Sequence, residues 1–286
     1  MADGIELAVD AWAPIAGRGA ATPPDFVLVH GLASNARMWD GVAAALAAAG
    51  HRAFTVDLRG HGRSSKPDGP YDVPTVAGDL AALISGLGLE RPVVAGQSWG
   101  GNVVLELAAR HPELVRGIVC VDGGWFEPSR EFPDWDACRA TLAPPRLVGR
   151  RLDEIEGYIR SAHPDWPATG VRGVLGNFEV LADGTVAPWL TFDRHLEVLR
   201  GMWDHRPSER YEGIAVPVLL VPAEGDAGEG DGGERARRQR TRVEAAAGAI
   251  PNVRVRRFAG DHDIHAQFPD ELAGVMHDMT TNGFFA

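Results

Sequence analysis

Residues 92–109 read Pro-Val-Val-Ala-Gly-Gln-Ser-Trp-Gly-Gly-Asn-Val-Val-Leu-Glu-Leu-Ala-Ala. A short β-branched, apolar run ends at a Gly-x-Ser-x-Gly cluster, and an amphipathic helical pattern begins at once. This order is typical of the strand–turn–helix in which a nucleophilic serine lies on a sharp, strained turn. Ser98 must hold backbone angles that a β-carbon disfavours, so Gly96 and Gly100 have to be small. The stretch predicts Ser98 as a nucleophile beside the first amides of a helix, which stabilise a developing negative charge.

The length and charge of the chain narrow the class of protein. Its 286 residues are enough for one large domain, and 45% hydrophobic and 23% charged residues are typical of a globular protein. A formal net charge of −11 argues against a nucleic-acid partner and against a basic membrane-surface helix. No signal peptide or membrane-spanning run is visible, and the two cysteines have neither metal-site nor disulfide-framework spacing. We therefore expect a cytoplasmic protein that acts on a small molecule, away from membranes.

Buried apolar strands alternate with helical patterns on both sides of the Ser98 motif. The predicted buried strands cover residues 26–29, 53–56, 93–97, 118–121 and 216–221. Such alternation indicates an α/β fold with a mostly parallel, doubly wound central sheet, covered by helices on both faces. Ligands bind at the carboxyl ends of the strands in such sheets. His30, Asp57, Ser98 and Asp122 each fall at such an end, so we expect them along one rim.

The alternation stops between residues 125 and 212. This segment carries five of the eight tryptophans and no buried-strand run. We interpret it as a helical cap inserted after the sixth strand, between the core segments 1–124 and 213–286. Its tryptophans either hold the cap together or line a pocket over Ser98. Trp125 is the first candidate for the pocket because it directly follows the strand end at Asp122.

Five segments resemble those of the α/β-hydrolase fold family. They are the turn at His30-Gly31, the glycine-rich loop 57–64, the Ser98 motif, the strand 217–226 and the segment 260–262. Together they are highly specific, and the resemblance covers nearly all of the chain except the cap. It implies a catalytic triad in the chain order nucleophile, acid, histidine.

Ser98, Asp226 and His262 satisfy that order. The chemistry agrees, because a serine hydroxyl needs an imidazole to take its proton, and the imidazole needs a carboxylate to fix its tautomer. The family pattern favours Asp226, at the end of its strand, as the acid. Asp122, at the end of the preceding strand, is the alternative. His265 is interpreted as a helix-start or pocket-wall residue rather than the base.

The resemblance also implies an oxyanion hole made by the backbone N–H groups of Leu32 and Trp99. Because the nucleophile is serine, similarity to haloalkane dehalogenases or epoxide hydrolases stops at the scaffold. The tryptophan directly after the nucleophile, Trp99, resembles the motif of proline iminopeptidases. The cap, however, shows no identifiable acidic pair that would bind a substrate amine. No dinucleotide motif or metal-ligand cluster appears, so we expect no cofactor and no metal.

We therefore expect a serine hydrolase that cleaves a small, apolar carboxylic ester or lactone through an acyl-enzyme. One alternative is the same triad acting on an amide, an aminoacyl group or a carbon–carbon bond. The other is a non-catalytic, ligand-binding member of the fold.

Overall fold

A seven-stranded sheet forms the centre of the computed structural model, which describes residues 4–14, 23–225 and 231–286. Along these residues the strands are β1 Val9–Trp12, β2 Phe26–Val29, β3 Ala53–Val56, β4 Val93–Gln97, β5 Gly117–Val121, β6 Phe178–Val180, β7 Val186–Pro188, β8 Val218–Val221 and β9 Val253–Val255. The spatial order of the central sheet is β1-β3-β2-β4-β5-β8-β9. The β1–β3 pair is antiparallel, and the other pairs of this sheet are parallel. The prediction of a mostly parallel sheet is confirmed.

Helices follow most of the parallel strands, as expected for crossover connections. In the described residues the α-helices are α1 Asp40–Ala48, α2 Val73–Gly86, α3 Trp99–Arg110, α4 Pro128–Glu131, α5 Trp135–Leu142, α6 Leu152–Ala162, α7 Ala168–Leu175, α8 Phe192–Asp204, α9 Asp231–Ala249, α10 Ile264–Gln267 and α11 Pro269–Thr281. For α9, the side chains of Asp231 and Gly232 are not described. Within the described ranges, no helix is long and apolar enough to span a bilayer.

Two apolar layers cover the faces of the sheet. Successive side chains of a strand point to opposite faces. Accordingly, Val27 and Val29 of β2 belong to a cluster with Leu80 of α2, which α3 also joins, whereas Phe26 and Leu28 join residues of α1 and α11. Strands β2, β5 and β8 carry no polar side chain because both of their faces are buried.

Residues 125–212, which we call the cap segment, hold α4–α8 and the hairpin β6–β7. Counted along the described residues, the segment follows the fifth strand, β5, rather than the sixth. The hairpin was not expected from the sequence, because its strands are only three residues long and contain a single buried residue, Val186, so they leave no buried apolar run. Its turn is set by Gly184, with φ of 80°, and by Asp183, whose carboxylate accepts hydrogen bonds from Thr185.

Candidate active site

Ser98 lies between β4 and α3 in a conformation that is rare for a residue with a β-carbon, with φ of 53° and ψ of −120°. Its N–H donates to the carbonyl of Val121 at 2.9 Å, which ties the turn to the neighbouring strand. A β-carbon at Gly96 would lie 2.2 Å from the Gly100 carbonyl oxygen, and one at Gly100 would lie 2.5 Å from that of His30. The Gly-x-Ser-x-Gly spacing is therefore required by close backbone packing around a strained serine.

The half-exposed ring of His262 contacts the carboxylate at the end of β5. His262 Nδ1 donates to Asp122 Oδ2 at 2.6 Å. Because Nδ1 faces a carboxylate it carries a proton, and Nε2 is the basic nitrogen. Partial burial lowers the pKa of His262, but the hydrogen bond and charge of Asp122, aided by Asp263 and Asp261, raise it to about 9. The ring thus has the tautomer that a general base needs, with a lone pair on Nε2.

Asp122 is itself held by two donors. Its Oδ1 accepts from the Ala223 N–H at 3.0 Å and from Gln239 Nε2 at 2.6 Å, so Oδ2 is left for His262. Gln239 comes from α9, whose arginine-dense sequence predicts a solvated helix and gives no signal of this contact. Asp226, the acid favoured by the sequence, lies outside the described residues. Among the described residues, the alternative acid, Asp122, contacts the histidine.

The loop around His262 is anchored to both the core and the cap segment. Gln97, the residue before the serine, donates from Nε2 to the His262 carbonyl at 3.0 Å. Asp261 Oδ2 accepts from Trp166 Nε1 at 2.9 Å and from His163 Nδ1 at 3.1 Å. The position of Gln97, directly before the nucleophile, is a sequence signal for a residue that contacts the active-site loop. No sequence pattern links residues 163–166 to Asp261, about 100 positions away.

A cavity of about 920 Å³ opens over the strand ends. It is lined by most of the residues singled out from the sequence, namely Leu32, Ser98, Trp99, Asp122, Trp125 and His262. A β-carbon added to Gly31 would lie 3.1 Å from Ser98 Cβ, so the turn before Leu32 packs directly against the serine. The rest of the lining combines the apolar side chains of Phe126, Phe132, Leu142, Leu199 and Met202 with polar and charged ones, among them Asn102, Glu131, Arg235, Arg238 and Arg242. In the parts of the chain that the structure describes, no group of three or more metal-ligating side chains comes together.

The cap tryptophans divide between pocket and packing. Trp125 is buried and lines the cavity. The other four do not line it: Trp135 and Trp203 pack edge to face at 6.0 Å, Trp166 binds Asp261, and Trp189 lies under the ammonium of Lys66 at 5.0 Å. For these four, holding the segment together is the role that their contacts support.

Of the two interpretations of His265, helix start and pocket wall, the structure supports the first, because the residue lies in the first turn of α10 and is not among those that line the cavity. Its ring is fully buried and packs on Trp39 at a centroid distance of 4.7 Å. Neither ring nitrogen has a partner among the described residues, and burial lowers the pKa of His265 to about 3. The side chain faces the core because α10, which begins at Ile264, turns it away from the cavity.

Known proteins resemble this chain in sequence and in fold. The model of the alpha/beta hydrolase fold family matches residues 24–144. A putative carbamate hydrolase, RutD, from Azorhizobium caulinodans is 37% identical over 217 residues, which cover 73% of this chain and 75% of that protein. The 2-(acetamidomethylene)succinate hydrolase of Mesorhizobium japonicum is 29% identical over 202 residues, 70% of each chain.

A solved structure of E-2-(acetamidomethylene)succinate hydrolase matches with a TM-score of 0.70 at 22% identity, over 98% of this chain and 96% of that one. The match extends through the central sheet, its helices and the cap segment. The strained serine turn, the order of the strands and these relatives all indicate the same fold family. The chain belongs to the alpha/beta hydrolase fold family, and it is a hydrolase.

Proposed function

We propose that this hydrolase cleaves a small carboxylic ester or lactone through an acyl-enzyme on Ser98, with His262 as the base and Asp122, in place of Asp226, as the acid. One observation carries the proposal. The His262 ring is fixed by a 2.6 Å hydrogen bond to Asp122, and both residues line the same cavity as a serine in a strained turn. A serine, a histidine and a carboxylate so placed fit nucleophilic acyl transfer.

The reaction follows from the roles of these groups. His262 Nε2 takes the proton from Ser98 as its Oγ attacks the substrate carbonyl, and Asp122 stabilises the resulting imidazolium. The backbone N–H groups of Leu32 and Trp99 are the proposed donors to the tetrahedral oxyanion. The imidazolium then gives its proton to the departing alkoxide. Water repeats the sequence and releases the acid.

The walls of the cavity support a largely apolar substrate. Trp125, Phe126, Phe132, Leu199 and Met202 line the cavity together with Ser98 and offer hydrocarbon to a substrate, beside the charged side chains of Glu131 and the arginines of α9. Apolar pockets with few polar groups bind mainly by removing hydrocarbon from water, at about 0.8 kcal/mol for each methylene. We therefore expect short acyl chains to be turned over better as they lengthen, until the cavity is full.

The second candidate is hydrolysis of a carbon–nitrogen bond by the same residues. It is favoured by the names of two relatives, a putative carbamate hydrolase and a 2-(acetamidomethylene)succinate hydrolase. An ester, an amide and a carbamate with the same acyl group, offered to the purified enzyme, separate the candidates. A higher kcat/KM for the ester supports the first proposal, and a preference for the amide or carbamate supports the second.

Labelling with a fluorophosphonate tests the nucleophile. We expect the probe to modify the wild-type protein at Ser98, and Ser98→Ala to lose both labelling and ester turnover by several orders of magnitude. Ser34→Ala is the matched control, because Ser34 lies in the loop after β2 and should keep both. Retained activity in Ser98→Ala would refute the assignment.

A further inference from the structure

His195 is a buried polar residue in the wall of the active-site cavity that the proposed chemistry does not use. It lies on α8, its side chain is 5% exposed, and it lines the cavity together with Leu199 and Met202. Positions 195, 199 and 202 share one face of a helix. The face of α8 towards the cavity is therefore apolar except for one imidazole.

The hydrogen bonding of His195 shows what this imidazole offers. Its Nε2 lies 3.2 Å from the carbonyl oxygen of Leu142, at the end of α5. A carbonyl can only accept, so Nε2 carries the proton and Nδ1 is left with a lone pair. Burial lowers the pKa of His195, so the ring is neutral near pH 7. Nδ1 is a hydrogen-bond acceptor, and it has no partner among the described residues.

An unpaired buried acceptor is costly, so it calls for an explanation. Leaving such a group without a donor destabilises the folded protein, so buried acceptors are nearly always paired. The other polar side chain on this wall, Thr141, is already satisfied, because its hydroxyl donates to the Ala137 carbonyl at 2.9 Å within α5. The acceptor on His195 is thus a specific feature of the wall.

A donor without a partner lines the same cavity. The indole N–H of Trp99, the residue after the nucleophile, is buried and has no acceptor among the described residues. The lining therefore includes one buried acceptor and one buried donor that have no partner among the described residues. A few such polar groups fix the orientation of a ligand in an apolar pocket.

We propose that the substrate carries an O–H or N–H on the group that enters between α5 and α8, and that His195 Nδ1 accepts this hydrogen bond. A substrate hydroxyl can donate to His195 Nδ1, and a secondary amide can do so while its carbonyl accepts from the Trp99 indole N–H. A plain alkyl chain leaves the His195 acceptor unpaired. The proposal rests on the ester hydrolysis proposed above and narrows its substrate class. His195 is a specificity-determining residue in this account.

Matched substrates test the proposal. Methyl esters of ω-hydroxy acids of two to seven carbons are compared with the esters of equal-length alkanoic acids, in which a methyl replaces the hydroxyl, and with the ω-methoxy acids, which accept but cannot donate. Spontaneous lactonisation is subtracted with enzyme-free blanks. At the chain length that reaches α8, we expect kcat/KM for the hydroxy ester to exceed that of both analogues by about tenfold or more.

Variants of His195 show whether the preference comes from that residue. His195→Phe should abolish the hydroxyl preference while retaining hydrolysis of the alkyl esters. His195→Gln, which can donate to Leu142 and still present an oxygen, should restore part of the preference. Thr141→Val is the matched control, and it should keep the preference because its hydroxyl is already paired. Circular dichroism and thermal unfolding verify that each variant is folded.

The outcomes separate this proposal from the one on which it rests. Ester hydrolysis without a hydroxyl preference at any chain length, or a preference that survives in His195→Phe, overturns the role of His195 and leaves a trapped water as its partner. No hydrolysis of any ester by the wild-type enzyme overturns the ester proposal itself.

Discussion

Ser98 and Asp122 share an unusual property: both are non-glycine residues with positive φ, 53° and 42°. Ser98 directly follows β4, and Asp122 directly follows the adjacent strand β5. The last residues of these strands, Gln97 and Val121, are paired in the sheet. Strained backbone of this kind persists where the surroundings impose it, and it is enriched at functional sites. The geometry brings a hydroxyl and a carboxylate to the same edge of the sheet, where His262 joins them.

Replacing Asp122 tests the acid of the proposed triad. Asp122→Asn removes the charge that stabilises the His262 imidazolium and the acceptor that fixes its tautomer. We expect kcat to fall by roughly a thousandfold or more, with the fold intact. Asp226→Asn, the change at the acid that the sequence favours, should cost much less. Steady-state kinetics of both variants decide the matter, and the reverse ranking would return the role to Asp226.

The pH dependence of kcat/KM tests the electrostatics around His262. The imidazole must be neutral to take the serine proton, so activity should rise as the pH rises through its pKa. Asp122 raises that pKa to about 9, so we expect an apparent pKa well above the ordinary value of about 6.5. The residual activity of Asp122→Asn should rise at lower pH than that of the wild type. An unshifted profile in the variant would show that this carboxylate does not control the base.

At the scale of elements, the sequence predicts what depends on local pattern. The strands before His30, Asp57, Ser98 and Asp122 are readable because an apolar run ends at a polar residue in each case. The hydrogen bond between Asp122 and His262 spans 140 positions and depends on how β5 and the loop after β9 meet, which no local pattern encodes. For the same reason the contact of Gln239 was missed, and the choice between helix start and pocket wall for His265 stayed open.

The start of the cap segment offers a prediction on substrate selection. Trp125 follows β5 directly and lines the cavity, so its truncation should enlarge the apolar pocket over Ser98. We expect Trp125→Ala to flatten the increase of kcat/KM with acyl chain length while a minimal acetate ester is still hydrolysed. Trp189→Ala is the control, because that indole does not line the cavity. An unchanged chain-length profile in Trp125→Ala would mean that this tryptophan serves packing alone.

At the scale of the whole molecule, buried histidines link stability to pH. Burial lowers the pKa of five of them: His30, His51, His61, His195 and His265. They stay neutral in the folded state, whereas the unfolded chain takes up protons near pH 6.5. These five histidines therefore do not weaken the folded state above pH 6.5, and they lower the free energy of unfolding as the pH falls below that value. His262, with a raised pKa, acts in the opposite sense, and its contribution is lost as the pH rises towards 9.

Urea unfolding at pH 7.5, 6.5 and 5.5 measures this linkage. Each histidine that remains neutral adds up to about 1.4 kcal/mol of lost free energy of unfolding per pH unit below its unfolded pKa. His265→Leu should make this loss less steep, because it removes a histidine that burial keeps neutral in the folded state. Leucine can replace it without breaking a hydrogen bond to the described residues, since neither nitrogen of His265 has a partner among them. An equal slope in His265→Leu and wild type would contradict a neutral His265.

The central claim is that Ser98 carries the acyl group of the substrate during turnover. Rapid mixing with an activated ester, acid quenching within milliseconds and mass spectrometry of the digested protein measure it directly. We predict a burst of released alcohol close to one equivalent, with the acyl mass added to the peptide that contains Ser98. A burst without acylation of that peptide, or acylation at another residue, would contradict the account.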